Sequence, residues 1–574
     1  MIHLRMLRLY ILPLLVAFLA ACASAGPSGS SAPAAEGTLV LIGTTDLHGW
    51  LLPEDYYTGR ETAHGLARLA PIIDSIRAEH PAGTALLDSG DLLQGNPLAF
   101  VYSRLEEGED HPIVRAMNLL RYDAVALGNH EFNFGIEQLD RAISTAEFPF
   151  LSANIFRHGT QEHAYQPSLL LEREIGGRRL RIGVTAATPP GVHVWDRDHV
   201  EGRLEFRDIV ESIRPVVADL RARGADLIVV AAHSGLEGTS YDTLSTGLPA
   251  ENVMARLPQE VPGIDVIFLG HTHNELADTT IGGALVLQAR NWAQSLAVAE
   301  LQVAAERGGE WRVVSKRGLL LRPDPSWSAR WLETALTDAH ERTREYVART
   351  IGTSTAQWSA QEARVRDTPI LDLINEVQRQ VAGADLSSAA AFNLGAEIPA
   401  GPVTVADIAR LYIYDNNTLK AVRISGAELR AYLEKSAEYY LPCPAQRCER
   451  VTNPEVPGYN FDVISGVDYA LDLTRPIGER VVRLERAGRA VAPTDSFTLA
   501  LNNYRQGGGG GFTMVARAPV VYDRGESIRE LLIREVERRG RISPEEYFQQ
   551  NWEILPPALA QRALAEQQTG GARR

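Results

Sequence analysis

"LVLIGTTDLH", residues 39–48, is a short aliphatic run that stops on two donors of metal-binding type, Asp46 and His48. Apolar runs of this length, rich in Val, Ile, Leu and Ala, suit buried strands. The same design recurs four times. "ALLDSGD" (85–91) ends in Asp91, "AVALGNH" (124–130) in Asn129 and His130, "LIVVAAH" (227–233) in His233, and "VIFLGHTH" (266–273) in His271 and His273. Between these runs, residues 65–80 and 209–224 space their apolar residues by three and four, the pattern of a helix with one buried face. Strands alternating with helices imply an α/β layered domain, in which ligands collect beyond the carboxyl ends of the strands. Five runs that each deliver a donor to that edge predict one shared site.

The donor types narrow its chemistry. Asp46, His48, Asp91, Asn129, His233, His271 and His273 exceed the needs of one tetrahedral ion, but they suit two ions about 3.5–4 Å apart with a bridging carboxylate, here Asp91. Imidazole with carboxylate favours Zn, Mn, Co or Fe over calcium, and no cysteine joins the set. Such an ion pair acts as a clamp for in-line attack on phosphorus. His130, next to Asn129, is placed to pair with phosphoryl oxygens and assist the leaving alkoxide.

At 574 residues the chain calls for several domains, and 45% hydrophobic with 22% charged residues is a globular composition. A net charge of −15 argues against a nucleic-acid polymer as partner, which needs arrays of Lys and Arg. An anionic substrate is then small and held locally; no protein partner is indicated. Residues 1–21 place Arg5 and Arg8 ahead of an apolar stretch too short to span a membrane, a secretory signal. "LAAC" (19–22) is similar to a bacterial lipobox, so the expectation is an exported protein lipidated at Cys22, on a tether over 22–37, anchored to a membrane of the periplasm or outer membrane. In that oxidising setting Cys443 and Cys448 can close a small disulfide loop. The expected order continues with a catalytic domain over 38–325, a linker helix over 326–351 carrying Trp327, Trp331 and Leu332 on one side, a second domain over 352–556, and a disordered tail over 557–574.

"TTDLHG", "DSGDLLQGNP", "GNHEF" and "GHTH", with His233 in "AAHSG", resemble the calcineurin-like metallophosphoesterases, and specifically the 5'-nucleotidase superfamily. That resemblance implies a four-layer β-sandwich flanked by helices, followed by an α+β substrate domain. It places Asp46, His48, Asp91 and His273 around one metal and Asp91, Asn129, His233 and His271 around the other. In "GNHEFNFG" (128–135) the partner of His130 is Asn133, where secreted 5'-nucleotidases carry aspartate. Asn133 can accept a hydrogen bond and orient His130, though it brings no charge. This variant, together with "LPEDYYTG", "FNLGAEIPAGPVTVADI" (392–408), "LYIYDNNTLKAV" (411–422), "YNFDVISGVDYALD" (459–472) and "NNYRQGGGGGF" (502–512), looks like the 2',3'-cyclic-nucleotide 2'-phosphodiesterase/3'-nucleotidase branch. By the same resemblance Tyr414 and Tyr504 sandwich the base, with Tyr412 as the fallback, and Asn393 and Gly508 also meet the nucleotide. The glycines at 507–511 lack a following Lys-Ser or Lys-Thr and are no P-loop. A plain 5'-nucleotidase and a non-catalytic nucleotide-binding lipoprotein are the rival readings.

Overall fold

The computed structural model describes residues 35–106, 110–305 and 309–571. Two six-stranded sheets form the first domain. One has the order β12-β11-β1-β2-β3-β4, with β1 (Ala35–Thr44), β2 (Thr84–Asp88), β3 (Ala124–Ala126), β4 (Phe150–Leu151), β11 (Leu296–Ala305) and β12 (Trp311–Leu321). The other has the order β9-β10-β8-β7-β6-β5, with β5 (Ser168–Ile175), β6 (Arg178–Ala187), β7 (Leu227–Ala232), β8 (Val266–Leu269), β9 (Leu276–Ile281) and β10 (Ala284–Gln288). Strands β1 to β4 run parallel, as do β6, β7, β8 and β10, so their carboxyl ends share a rim within each sheet.

Burial on both faces explains the unbroken apolar runs. Leu39, Leu41, Leu87, Val229, Phe268 and Leu287 meet in the core between the sheets. Val40, Ile42 and Leu86 point outward under α1 (Leu66–Glu79), whose Leu66, Leu69 and Ile73 cover them. Val230 and Ile267 pack on Ile209, Ile213 and Leu220 of α2 (Ile209–Ala222). Helix, sheet, sheet, helix is the four-layer order. The sheets come close enough that a Cβ on Gly43 would stand 2.5 Å from the Phe268 ring.

The connector departs from expectation. It is two helices, α3 (Arg330–Ala335) and α4 (Thr337–Ala348), broken at Leu336. Leu332, Leu336 and Ala339 are buried, whereas Trp327 precedes the helix at 58% exposure and Trp331 stands at 43%. Adjacent helical residues lie about 100° apart, so Leu332 and Trp331 cannot share a buried face.

The second domain is built on a five-stranded sheet of order β15-β13-β16-β14-β17, with β13 (Leu386–Ala390), β14 (Thr418–Ser425), β15 (Asp462–Ser465), β16 (Ser496–Asn502) and β17 (Val520–Ser527). Helices α5 (Pro369–Ala382), α6 (Gly426–Ser436) and α7 (Ile528–Arg539) accompany it. Residues 557–571, read from sequence as disordered, form α8 (Pro557–Gly571) instead. Leu559 and Ala563 are fully buried, and the Glu566 carboxylate accepts from the backbone N–H groups of Val451 and Thr452 at 2.8 and 2.9 Å. The Ala-rich composition that looked like a fraying end is a good helix former with one buried stripe. A disulfide joins Cys443 and Cys448, whose Cα atoms are 5.0 Å apart. No helix among the described residues is long and apolar enough to cross a membrane, and Cys22 with the signal segment lies outside them.

Candidate metal centre

Each donor leaves the carboxyl end of its strand within four residues. Asp46 and His48 follow β1, Asp91 follows β2, Asn129 and His130 follow β3, His233 follows β7, and His271 and His273 follow β8. The loops turn sharply there. Asp46 (φ 51°), His48 (48°), Asp91 (65°), His271 (72°) and His273 (53°) all adopt the left-handed conformation. Non-glycine residues avoid it, and each such residue persists only where its surroundings enforce it. Close approach also demands glycine: a Cβ on Gly128 would stand 2.3 Å from Asp91 Oδ1.

Two donor clusters result. Asp46, His48 and His273 form one and Asp91, His233 and His271 the other, each with ligand atoms within 4.8 Å of one another. Asp46 Oδ1 is 3.3 Å from His273 Nε2, and Asp91 Oδ2 is 2.9 Å from His233 Nε2. Asp91 Oδ2 also stands 3.9 Å from His48 Nε2, between the clusters. The far ring nitrogens are fixed by carbonyls: His48 Nδ1 donates to Gln94 O at 2.8 Å and His233 Nδ1 to Ser89 O at 2.7 Å, which turns both Nε2 atoms inward. Asn129 Oδ1 is buried with no hydrogen-bond partner among the described residues. A carbonyl oxygen in that state, beside two carboxylate–imidazole clusters, fits a hard or borderline cation.

The buried groups are strongly paired: against burial, Asp91 raises His233 to about 10 and Asp46 raises His273, and both carboxyls are lowered in return. Burial would raise the Asp91 carboxyl, but His233 and then His130 more than offset it and hold it well below the usual carboxylate range. Burial also works against Asp46, yet His273 brings it down to about 2. Burial pushes His48 down to about 3, leaving a neutral imidazole with a lone pair to offer.

Two carboxyl groups to which the sequence assigned no part, Glu131 and Asp196, help hold this geometry. The buried Glu131 carboxylate accepts from the N–H groups of Gly128 (2.6 Å), Asp91 (2.9 Å) and Leu92 (2.6 Å), tying the loops after β2 and β3 together. His130 donates its backbone N–H to Asp91 Oδ1 at 2.8 Å, and its ring Nε2 lies 3.9 Å from Asp91 Oδ2. His130 Nδ1 meets Asn133 Oδ1 at 2.5 Å, and Asn133 Nδ2 donates to Asp196 Oδ1 at 2.8 Å. No local pattern marks Asp196; it sits between two turns of helix, Val192–Trp195 and Arg197–Val200.

The second domain closes over this rim. Gln94, whose carbonyl holds His48, donates through Nε2 to Asp415 Oδ1 at 2.8 Å, and Lys420 Nζ pairs with Asp198 at 2.7 Å. Between the domains lies a cavity of about 390 Å³, lined by Glu251 and Asn252 on one side and by Tyr459, Asn460, Tyr504 and Gly510 on the other. Tyr504 and Tyr414 are half-buried. Tyr414 packs edge-to-face on Phe392 at 4.9 Å and meets Tyr459 at 6.5 Å, which makes Tyr459 a third ring of this group that sequence reasoning missed. Tyr412 is a core residue, 1% exposed. Asn393 is engaged in its own loop, accepting from Gly395 N–H at 2.9 Å and donating to Arg410 O at 3.2 Å. Gly508 has φ 93°, but the glycine pressed against a ring is Gly509, where a Cβ would stand 2.6 Å from Tyr504.

Four-layer architecture, strand-end donors and paired clusters define a dinuclear metallophosphoesterase with an appended substrate domain. Residues 39–275 match the calcineurin-like phosphoesterase family model, and residues 350–517 match the 5'-nucleotidase C-terminal domain. The chain is 32% identical to a 2',3'-cyclic-nucleotide 2'-phosphodiesterase/3'-nucleotidase of Salmonella typhimurium, over 92% of this chain and 90% of that protein. It is 31% identical to the trifunctional nucleotide phosphoesterase protein YfkN of Bacillus subtilis, over 90% of this chain but only 39% of that longer protein. A crystal structure of a putative 5'-nucleotidase from Staphylococcus aureus superposes with a TM-score of 0.77 at 25% identity, over 90% of this chain and 100% of that one. The chain belongs to the 5'-nucleotidase family of calcineurin-like phosphoesterases, and its two clusters form a dinuclear divalent-metal centre.

Proposed function

We propose that this protein hydrolyses 2',3'-cyclic nucleotides to 3'-nucleotides and dephosphorylates the 3'-nucleotide at the same site. The observation that carries this reading is the likeness across both domains to a relative of that name, on a chain whose His130 is held by asparagine. Asp46, His48, Asp91 and His273 would hold one ion and Asp91, Asn129, His233 and His271 the other. Zn, Mn, Co or Fe suits the donors. Bound there, the ions activate water at neutral pH and neutralise phosphoryl charge.

The chain's own residues do the rest. Tyr414 and Tyr504 hold the base by its faces, which tolerates any base. His130, oriented through Nδ1, directs Nε2 at the phosphoryl group beside Asp91 and protonates the departing 2'-oxygen as water adds to phosphorus. The second cycle breaks the 3' P–O bond and releases nucleoside and phosphate. Export and a lipid anchor at Cys22 belong to the same proposal, supported by the residues before 38; Cys22→Ala releases the protein from membranes if they hold.

Three substrates test it. Turnover of 2',3'-cyclic AMP and 3'-AMP, abolished by chelator, is expected; turnover of 5'-AMP alone identifies a plain 5'-nucleotidase and overturns the assignment.

A further inference from the structure

Asparagine in place of aspartate leaves His130 without a charged partner, and the structure places a buried carboxyl group, Asp196, a step further back. Asp196 is 3% exposed and occupies the N-cap position of the turn Arg197–Val200, yet its side chain makes no cap hydrogen bond. An aspartate there ordinarily accepts from its own helix. Here Oδ1 accepts from Asn133 Nδ2, and Oδ2 is buried with no hydrogen-bond partner among the described residues. The adjacent Trp195 ring lies 5.6 Å from the His271 ring, and the carbonyl of Val194 is pressed against Gly507 of the second domain, so the segment is held at the centre of the site.

We propose that Asp196 is a positioning residue for His130, acting through Asn133. Asp196 Oδ1 accepts from the Asn133 amide N–H, which leaves the Asn133 Oδ1 facing His130. That oxygen accepts from Nδ1 and fixes the imidazole tautomer. Donation to a carboxylate also polarises the amide, which strengthens Oδ1 as an acceptor for the ring when it carries the proton. Without Asp196 the amide can turn and present its NH₂ to Nδ1. The inference rests on the reading of His130 under the proposed function.

The test uses the metal-loaded full chain with 2',3'-cyclic AMP. Asp196→Asn, nearly isosteric, is expected to lower kcat about ten- to a hundredfold with KM, melting temperature and bound metal unchanged. Asn133→Asp in the wild-type background sets two carboxylates together and is expected to be slow. Asn133→Asp combined with Asp196→Asn moves the charge one link inward and keeps every hydrogen bond; it is expected to recover at least about tenfold over Asp196→Asn, a coupling that a merely structural residue does not give. Wild-type kcat in Asp196→Asn, metal loss in step with activity, or a double variant no faster than Asp196→Asn overturns the proposal. His130→Ala separates the two failures. Full turnover there removes the role of His130 itself; its loss alongside a wild-type Asp196→Asn removes only the relay.

Discussion

Tyr504→Ala tests the division of labour between the domains. The Tyr504 ring rests on Gly509, with the Arg505 guanidinium 5.3 Å from its centroid, and it lines the cavity of about 390 Å³ between the domains. Arg505 is itself clasped by Asp462 at 2.9 and 3.0 Å, so truncation removes the ring without freeing its support. Stacking contributes about 1–3 kcal/mol per base, which converts to a loss of roughly 5- to 150-fold in affinity. On the proposed function the ring would touch the base in ground and transition states alike, so the loss belongs in KM, with kcat little changed. Steady-state kinetics on 2',3'-cyclic AMP, 2',3'-cyclic UMP and the base-free ester bis(p-nitrophenyl) phosphate read this directly. The two nucleotides are expected to lose by similar factors and the base-free ester not at all. An equal loss on all three refutes the base-stacking role, because the substitution has then disturbed the metal rim.

Asp91→Ala is expected to lose bound metal and turnover together, while His130→Ala keeps its metal and loses about 10²–10⁴-fold in kcat; equal metal loss by elemental analysis contradicts a role for His130 outside the ligand set. Chelation is expected to abolish turnover and lower the melting temperature, since ions bound only by the folded chain stabilise it by mass action; an unchanged melting temperature in the metal-stripped protein counts against tightly held ions. Burial, aided by neighbouring Asp367, pushes the Asp372 carboxyl up to about 7 from 3.8. An acid raised in the folded state favours folding in its protonated form, so its contribution is full below about pH 4 and is lost as pH rises to about 7, an upper bound of about 4 kcal/mol. Asp372→Asn is therefore expected to exceed the wild type in melting temperature at pH 8 but not at pH 4, and a constant difference would refute the titration.

Legibility in the sequence followed the range of the interaction. The metal donors announce themselves because each lies within four residues of an apolar strand, so strand pattern and ligand type appear in one window. Asp196 and Asn133 are 63 residues apart, and Asp196 stands between two four-residue helical turns with no run of its own. Nothing local distinguishes it from Asp198, which pairs with Lys420. Tyr459 escaped for the same reason, since it reaches Tyr414 only after the second domain has folded. At 557–571 composition misled, because polar and small residues hid a stripe whose value depends on what Leu559 and Ala563 pack against. In the connector, three large apolar residues suggested one face, and helical geometry separates Trp331 from Leu332.

The backbone of the rim says why so much support surrounds it. Five ligands in the left-handed region cost of order 1 kcal/mol or more each, and their imidazoles and carboxylates crowd together in a buried space. Local preference cannot hold such loops; the surroundings must. Glu131 supplies three acceptor contacts to the loops after β2 and β3, the carbonyls of Ser89 and Gln94 fix His233 and His48, and Asp46 accepts from the His271 backbone N–H at 3.2 Å. These contacts all lie within the catalytic domain, so the metal rim is held by its own domain. Gln94 then couples the two, with one end on His48 and the other on Asp415, the residue next to Tyr414. On the proposed function, a substrate gripped by its base would be referenced to the metal centre through two residues rather than through the length of the connector.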